Sequence, residues 1–140
     1  MAVSFQSQNI EFNLKGKALI KNWIRRIIEL EKKKQGQINF VFTSDEELLK
    51  TNIEFLNHDT FTDIITFDYC EGRIINGDII ISVERVRDNA EQFKTGFEEE
   101  LRRVIIHGVL HLCGYKDKSA ADELLMRKKE NWALKKFEAA

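Results

Sequence analysis

Proline is missing altogether from this chain, and no low-complexity stretch or internal repeat offers a linker along which to divide it. Only two cysteines occur, Cys70 and Cys113, with no C-x-x-C pairing, which argues against a disulfide framework and predicts free, buried thiols. No apolar run approaches the roughly 18 residues of a membrane span. The opening MAVSFQSQ lacks the ordered basic, apolar and cleavable regions of a signal peptide. A soluble, cytoplasmic protein is therefore expected. A formal net charge of −1 singles out no partner by itself.

The residues that are present make a globular composition: 43% hydrophobic, 32% charged, and ten phenylalanines. A chain of 140 residues suits one domain that buries roughly two thirds of its unfolded surface. The charge is uneven. Residues 1–34 hold eight Lys/Arg against three Glu, 45–100 hold five against fifteen Asp/Glu, and 101–140 hold nine against five. Two basic ends thus flank an acidic middle, and the first segment either faces an anion or is simply a solvated helix face.

Val3–Phe5 and Ile10–Phe12 alternate apolar and polar residues and predict one or two short strands. From Lys15 to Lys34, Leu19, Trp23, Ile27 and Leu30, with Ile20, Ile24 and Ile28, predict an amphipathic helix with a basic outer face, ended by Gly36. Ile38–Phe42 is β-prone, and Ser44 with Glu47 has capping-box spacing for a helix from Asp45 to about Asn52. Ile53–Phe61 reads as irregular. Asp63–Tyr69 and Gly77–Ser82 predict an antiparallel hairpin with Asn76-Gly77 at its exit end. Ser82 caps a helix to about Lys94 with Val83, Val86, Ala90 and Phe93 inside, and a last helix runs from about Ser119 to Phe137, carrying Leu124, Leu125, Trp132, Leu134 and Phe137. The expectation is one α+β domain over residues 1–140: a small mixed sheet of about four strands packed with about five helices around one central helix.

That central helix lies in the stretch Phe97 to Lys118, FEEELRRVIIHGVLHLCGYKDK. His107 and His111 are four residues apart, about 40° of rotation and about 6 Å of rise, so both imidazoles leave one helix face. Gly114 supplies a left-handed helix end, and the turn through Tyr115 and Lys116 brings Asp117 back toward the histidines. Three ligands and an open position describe a catalytic metal. The other positions, among them Val104, Ile105, Ile106, Val109 and Leu110, are apolar nearly all round, so the imidazoles sit on a buried helix and need partners. Gly108 stands where the H-E-x-x-H peptidase pattern carries its general base, which is evidence against a zinc peptidase.

HGVLHLCGYKD resembles the H-G-x-L-H-L-x-G-Y-D-H signature of the YbeY family, metal-dependent endoribonucleases linked to ribosomal RNA maturation. Asn52, Phe55, Asp59, Thr62 and Asp63 are similar to the family's N-x-x-Y-R-x-K-D-x-x-T-D segment, and Gly77-Asp78-Ile79 to its G-D-I strand. Four positions depart: Asp117 stands at the third His, Lys116 at the Asp before it, Leu56 at the Arg and His58 at the Lys. The resemblance implies a hydrolase holding one Zn²⁺ through His107, His111 and Asp117, with Asp63 assisting. It implies cleavage of single-stranded RNA in ribosomal RNA maturation and ribosome quality control, with ribosomal RNA and the small ribosomal subunit as partners and no membrane. The alternative, favoured by Leu56 in place of Arg, is a ribosome-assembly or RNA-binding factor whose metal is mainly structural. Arg25, Arg26, His58 and Thr62 are candidate substrate contacts. The plainer readings are a solvated helix face, an exposed loop histidine and a local turn bond. Met126 belongs either beneath the metal or to the ordinary core.

Overall fold

The computed structural model describes residues 2–56 and 62–138. In chain order it runs β1 (Val3–Ser7), α1 (Lys17–Leu30), β2 (Lys34–Thr43), α2 (Asp45–Leu56), β3 (Ile64–Asp68), β4 (Ile74–Ser82), α3 (Val83–Phe93), α4 (Phe97–Leu112) and α5 (Ala120–Glu138). The sheet order is β1-β2-β4-β3, with β1, β2 and β4 parallel and β3 antiparallel to β4. The expected mixed α+β domain is what is seen.

Alternation along β2 sends Ile38, Phe40 and Phe42 to one face, in register with Gly77, Ile79 and Ile81 of β4, and the large side chains of that face are fully buried. Against this face lie α1, through Ile20, Trp23, Ile24, Ile27 and Ile28, and α4, through Ile105, Ile106 and Val109. The Trp23 indole N–H donates to the Ala133 carbonyl at 2.8 Å, locking α1 to α5. The histidine helix is central, packed between the sheet, α1, α3 and α5.

Several boundaries differ from expectation, each for a local reason. Ile10–Phe12 is not a strand: Asn9 adopts a left-handed conformation, and the Ser7 hydroxyl donates to the Phe12 carbonyl at 2.6 Å, folding the chain back. Helix α1 stops at Leu30 because Lys32 turns left-handed and the Lys33 N–H closes onto the Ile28 carbonyl; Gly36 therefore lies inside β2, beside a register irregularity. Leu19 and Leu30 fall off the edge of the buried stripe and are exposed. Helix α2 continues to Leu56, into the stretch read as irregular. Asn76-Gly77 is not a turn: the reversal lies at Glu71–Ile74, and the Asn76 side-chain carbonyl accepts the Gln37 N–H at 2.8 Å, bridging to β2. Phe93, read as an inner-face residue, is exposed, and so are Leu124 and Leu125 of the last helix. The stripe that α5 buries is instead Met126, Glu130 and Ala133.

Gly77 sets how closely α4 approaches the sheet. A Cβ there would meet the Phe67 carbonyl oxygen at 2.6 Å and both methyls of Leu112 at 2.9 and 3.0 Å. Gly77→Ala is therefore expected to destabilise the protein by about 1–3 kcal/mol, the usual cost of overpacking, measured by denaturant unfolding. Unchanged stability would show that the α4 terminus shifts without cost.

Candidate metal centre and cleft

The helix face carrying His107 and His111 opens into a cleft of about 1040 Å³. Asn52 and Leu56 of α2 line it, as do Thr62 to Thr66, Asn89 and Phe93 of α3, the histidine face of α4, Asp117, and Glu123, Met126, Arg127 and Glu130 of α5. The two imidazole centroids are 6.2 Å apart. Gly114, with φ +111°, ends α4 as expected, and the turn it permits places the Asp117 Oδ2 3.2 Å from the His107 Nε2.

Each imidazole is held from behind. The His107 Nδ1 sits 2.7 Å from the Glu130 Oε2, and the His111 Nδ1 sits 2.8 Å from the Tyr115 carbonyl, so the Nε2 atoms are the ones left for the cleft. Glu130 is buried, and its other oxygen accepts from the Arg103 guanidinium at 2.9 Å. The loop that follows α4 has its own brace. Glu31, at the end of α1, accepts the Tyr115 hydroxyl at 2.6 Å and pairs with Lys129 at 2.7 Å.

Charge follows from this packing. Burial alone would lower the His107 pKa, but the hydrogen bond its ring N–H donates to Glu130 and the charges of the Glu130, Asp117 and Asp63 carboxylates outweigh it and hold it above its ordinary value. Burial would raise Glu130, yet the His107 and Arg103 hydrogen bonds hold it below the usual carboxylate range. Burial pushes Asp63 upward, only partly opposed by His107. Asp63 accepts from Asn89 at 3.3 Å. The cysteines are free, as expected, and burial pushes Cys70 to about 11 and Cys113 to about 12, so both are protonated thiols near neutral pH.

The structure thus brings together Asp63, His107, His111, Asp117 and Thr62. Thr62 also makes a local contact to the Ile64 carbonyl at 3.4 Å, the turn bond considered above. Met126 is buried and lines the cleft floor, so it is a core residue that also faces the site. Arg25 and Arg26 are not part of this site: both are exposed on the outer face of α1, Arg25 pairs with Glu29 at 3.6 Å, and neither lines the cleft. His58 and Asp59 lie outside the described residues. Gly108 points away from the cleft, where a Cβ would meet Ile64 and Ile79 at 2.9 to 3.1 Å, so the fold has no room for a peptidase glutamate at that position.

As placed, no three His, Cys, Asp or Glu side chains among the described residues stand together as a ready ligand set. The donor chemistry nevertheless fits a divalent cation. Two neutral-capable imidazoles are oriented through Nδ1 by a carboxylate and a carbonyl, the usual arrangement behind metal-bound histidines, and a carboxylate lies beside them. Glu130 escaped the sequence reading. Its signal was a carboxylate on the Met126–Glu130–Ala133 stripe of a weakly amphipathic helix.

A family model described as endoribonuclease YbeY matches residues 2–138. An endoribonuclease YbeY of Flavobacterium psychrophilum is 56% identical over 135 residues, covering 96% of each chain, and one of Flavobacterium johnsoniae is 54% identical over 127 residues, covering 91% of each. The solution structure of a Thermotoga maritima protein matches with a TM-score of 0.67 at 27% identity, covering 96% of this chain and 88% of that one. With the match running through every element from β1 to α5, the chain belongs to the endoribonuclease YbeY family.

Proposed function

We propose that this endoribonuclease is metal-dependent, cuts single-stranded RNA in ribosomal RNA maturation, and takes one Zn²⁺ through the Nε2 atoms of His107 and His111 and a carboxylate oxygen of Asp117. The observation that carries the reading is the pair of carboxylates on one imidazole: Glu130 at 2.7 Å and Asp117 at 3.2 Å from the two nitrogens of His107. That arrangement is suited to a second positive charge on the Nε2 side, whether a proton or a metal ion. The cleft walls add to it, holding Asp63, Glu100, Asp117, Glu123 and Glu130 against two cations, Arg103 and Arg127. A phosphodiester entering such walls needs a cation of its own.

When bound, a divalent ion there supplies an acidic water and polarises a phosphoryl oxygen. The chain's residues do the rest. Glu130 and the Tyr115 carbonyl fix the tautomers of His107 and His111 so that both Nε2 lone pairs face the cleft. Asp63, its proton affinity raised by burial, accepts a proton from the attacking water, a task that Gly108 cannot perform. Ribosomal RNA and the small ribosomal subunit are the proposed partners, in the cytoplasm. The second reading, an assembly factor with a mainly structural metal, draws its support from Leu56, which lines the cleft where the resemblance places a phosphate-binding Arg.

Because a proton on His107 would compete with the metal for Nε2 and the His107 pKa is held above its ordinary value, binding near pH 6.5 is expected to release protons. Zinc titration by calorimetry in buffers of different ionisation heat measures it, alongside elemental analysis expected to find about one metal per chain. Protein that binds no metal after supplementation sinks the reading. Binding without proton release removes His107 from the ligand set.

A further inference from the structure

The cleft holds groups that metal chemistry leaves unused. Of its two arginines, Arg103 is committed, donating to Glu130 at 2.9 Å and to Asn131 at 2.8 Å. Arg127 is different: its side chain is 57% exposed, and its one ion pair among the described residues is a long one, to Glu130 at 3.9 Å, a carboxylate already bound by Arg103 and His107. On the α3 wall Phe93 is 56% exposed. A bare aromatic ring and a weakly engaged guanidinium in one solvent-filled cleft are the two halves of single-strand recognition: a face for a base and a fork for a phosphate.

We propose that Arg127 and Phe93 form the substrate subsite of this cleft, Arg127 engaging a phosphodiester of single-stranded RNA and Phe93 stacking on a base of the same strand. The proposal rests on the endoribonuclease reading above and names how that substrate is held. A duplex base cannot lie on a ring in the cleft wall without leaving its stack, so the subsite selects unpaired RNA. Continuity favours RNA over a protein occupant, since both residues line the same cleft as His107 and His111. It also accounts for Leu56: the guanidinium missing from the α2 wall is supplied from α5. The carboxylates of the walls sharpen the choice, because they leave Arg127 as the cleft's weakly engaged cation among the described residues.

The test uses zinc-loaded full-length protein and a fluorescein-labelled single-stranded oligoribonucleotide, with thermal melting to confirm that each variant is folded. Arg127→Ala is expected to weaken binding about tenfold, with the loss carried by KM, and to reduce the log–log salt slope by about 0.7, one single-strand phosphate contact. Phe93→Ala is expected to weaken binding about tenfold with the slope unchanged, and Phe93→Trp to restore it. Leu56→Arg added to Arg127→Ala is expected to recover the lost slope. An Arg127→Ala slope equal to wild type, or Phe93→Ala binding equal to wild type, overturns the subsite while the wild-type protein still cuts RNA. A wild-type protein that neither binds nor cuts the oligonucleotide overturns both the subsite and the reading beneath it.

Discussion

His111→Ala is expected to lower RNA cleavage by on the order of 10³-fold or more while the protein remains folded. Both halves of that outcome follow from the geometry. The His111 ring faces the cleft and makes one hydrogen bond, to the Tyr115 carbonyl at 2.8 Å, so truncation costs the fold only about 1 kcal/mol. The same truncation removes one of three candidate ligands, and two cannot hold a catalytic ion in a defined place. The assay is processing of a ribosomal RNA precursor by wild type and variant at matched folded concentration, with metal content measured on both. Processing that survives the loss of His111 would leave the metal a structural role and favour the assembly-factor reading.

Glu130→Ala is the change with the largest expected effect on the fold. It strands the Arg103 guanidinium and the His107 imidazole around a buried gap, and breaking one side of such a pair typically costs about 3–5 kcal/mol. Metal affinity is expected to fall about 10–100-fold as well, because His107 loses the group that fixes its tautomer. Glu130→Gln retains the shape and separates charge from packing. In metal-free wild type, the depressed Glu130 pKa contributes stability that is present above its unfolded value, about 4.3, and is lost as pH falls through the lower folded value. The raised His107 pKa contributes stability that is present below about 6.5 and is lost as pH rises through the higher folded value. Their shared maximum between about pH 4.3 and 6.5 should flatten in Glu130→Gln, followed by urea unfolding from below to above that window. An unaltered profile would locate the pH dependence elsewhere.

Much of this site is local and therefore legible in the chain. Four-residue spacing put both imidazoles on one face, and Gly114 at φ +111° is the turn that delivers Asp117 to His107. What was illegible depends on partners far away in sequence. Glu130 lies 23 residues from His107, and a charged residue in mid-helix reads as surface until the helix beside it is known. Phe93 was assigned inward by periodicity, yet it is exposed and lines the cleft. Asn76-Gly77 carries strong hairpin chemistry, but parallel pairing with β2 and the Gln37 N–H claimed the asparagine side chain first. The end of α1 was set by Lys32 in a left-handed conformation, which a glycine-based reading places too late.

The bond from Glu130 to His107 also orders events in time. Chains are synthesised from the N-terminal end at about 5–20 residues per second, and domains fold as units. His107, His111 and Asp117 therefore exist before the carboxylate that orients the first of them, as do β1 and β2, which must pair in parallel across α1. Trp23 likewise waits for the Ala133 carbonyl. In a nascent chain every residue of the histidine helix is present while its orienting carboxylate on α5 is still untranslated, so the candidate site is completed only near the end of synthesis.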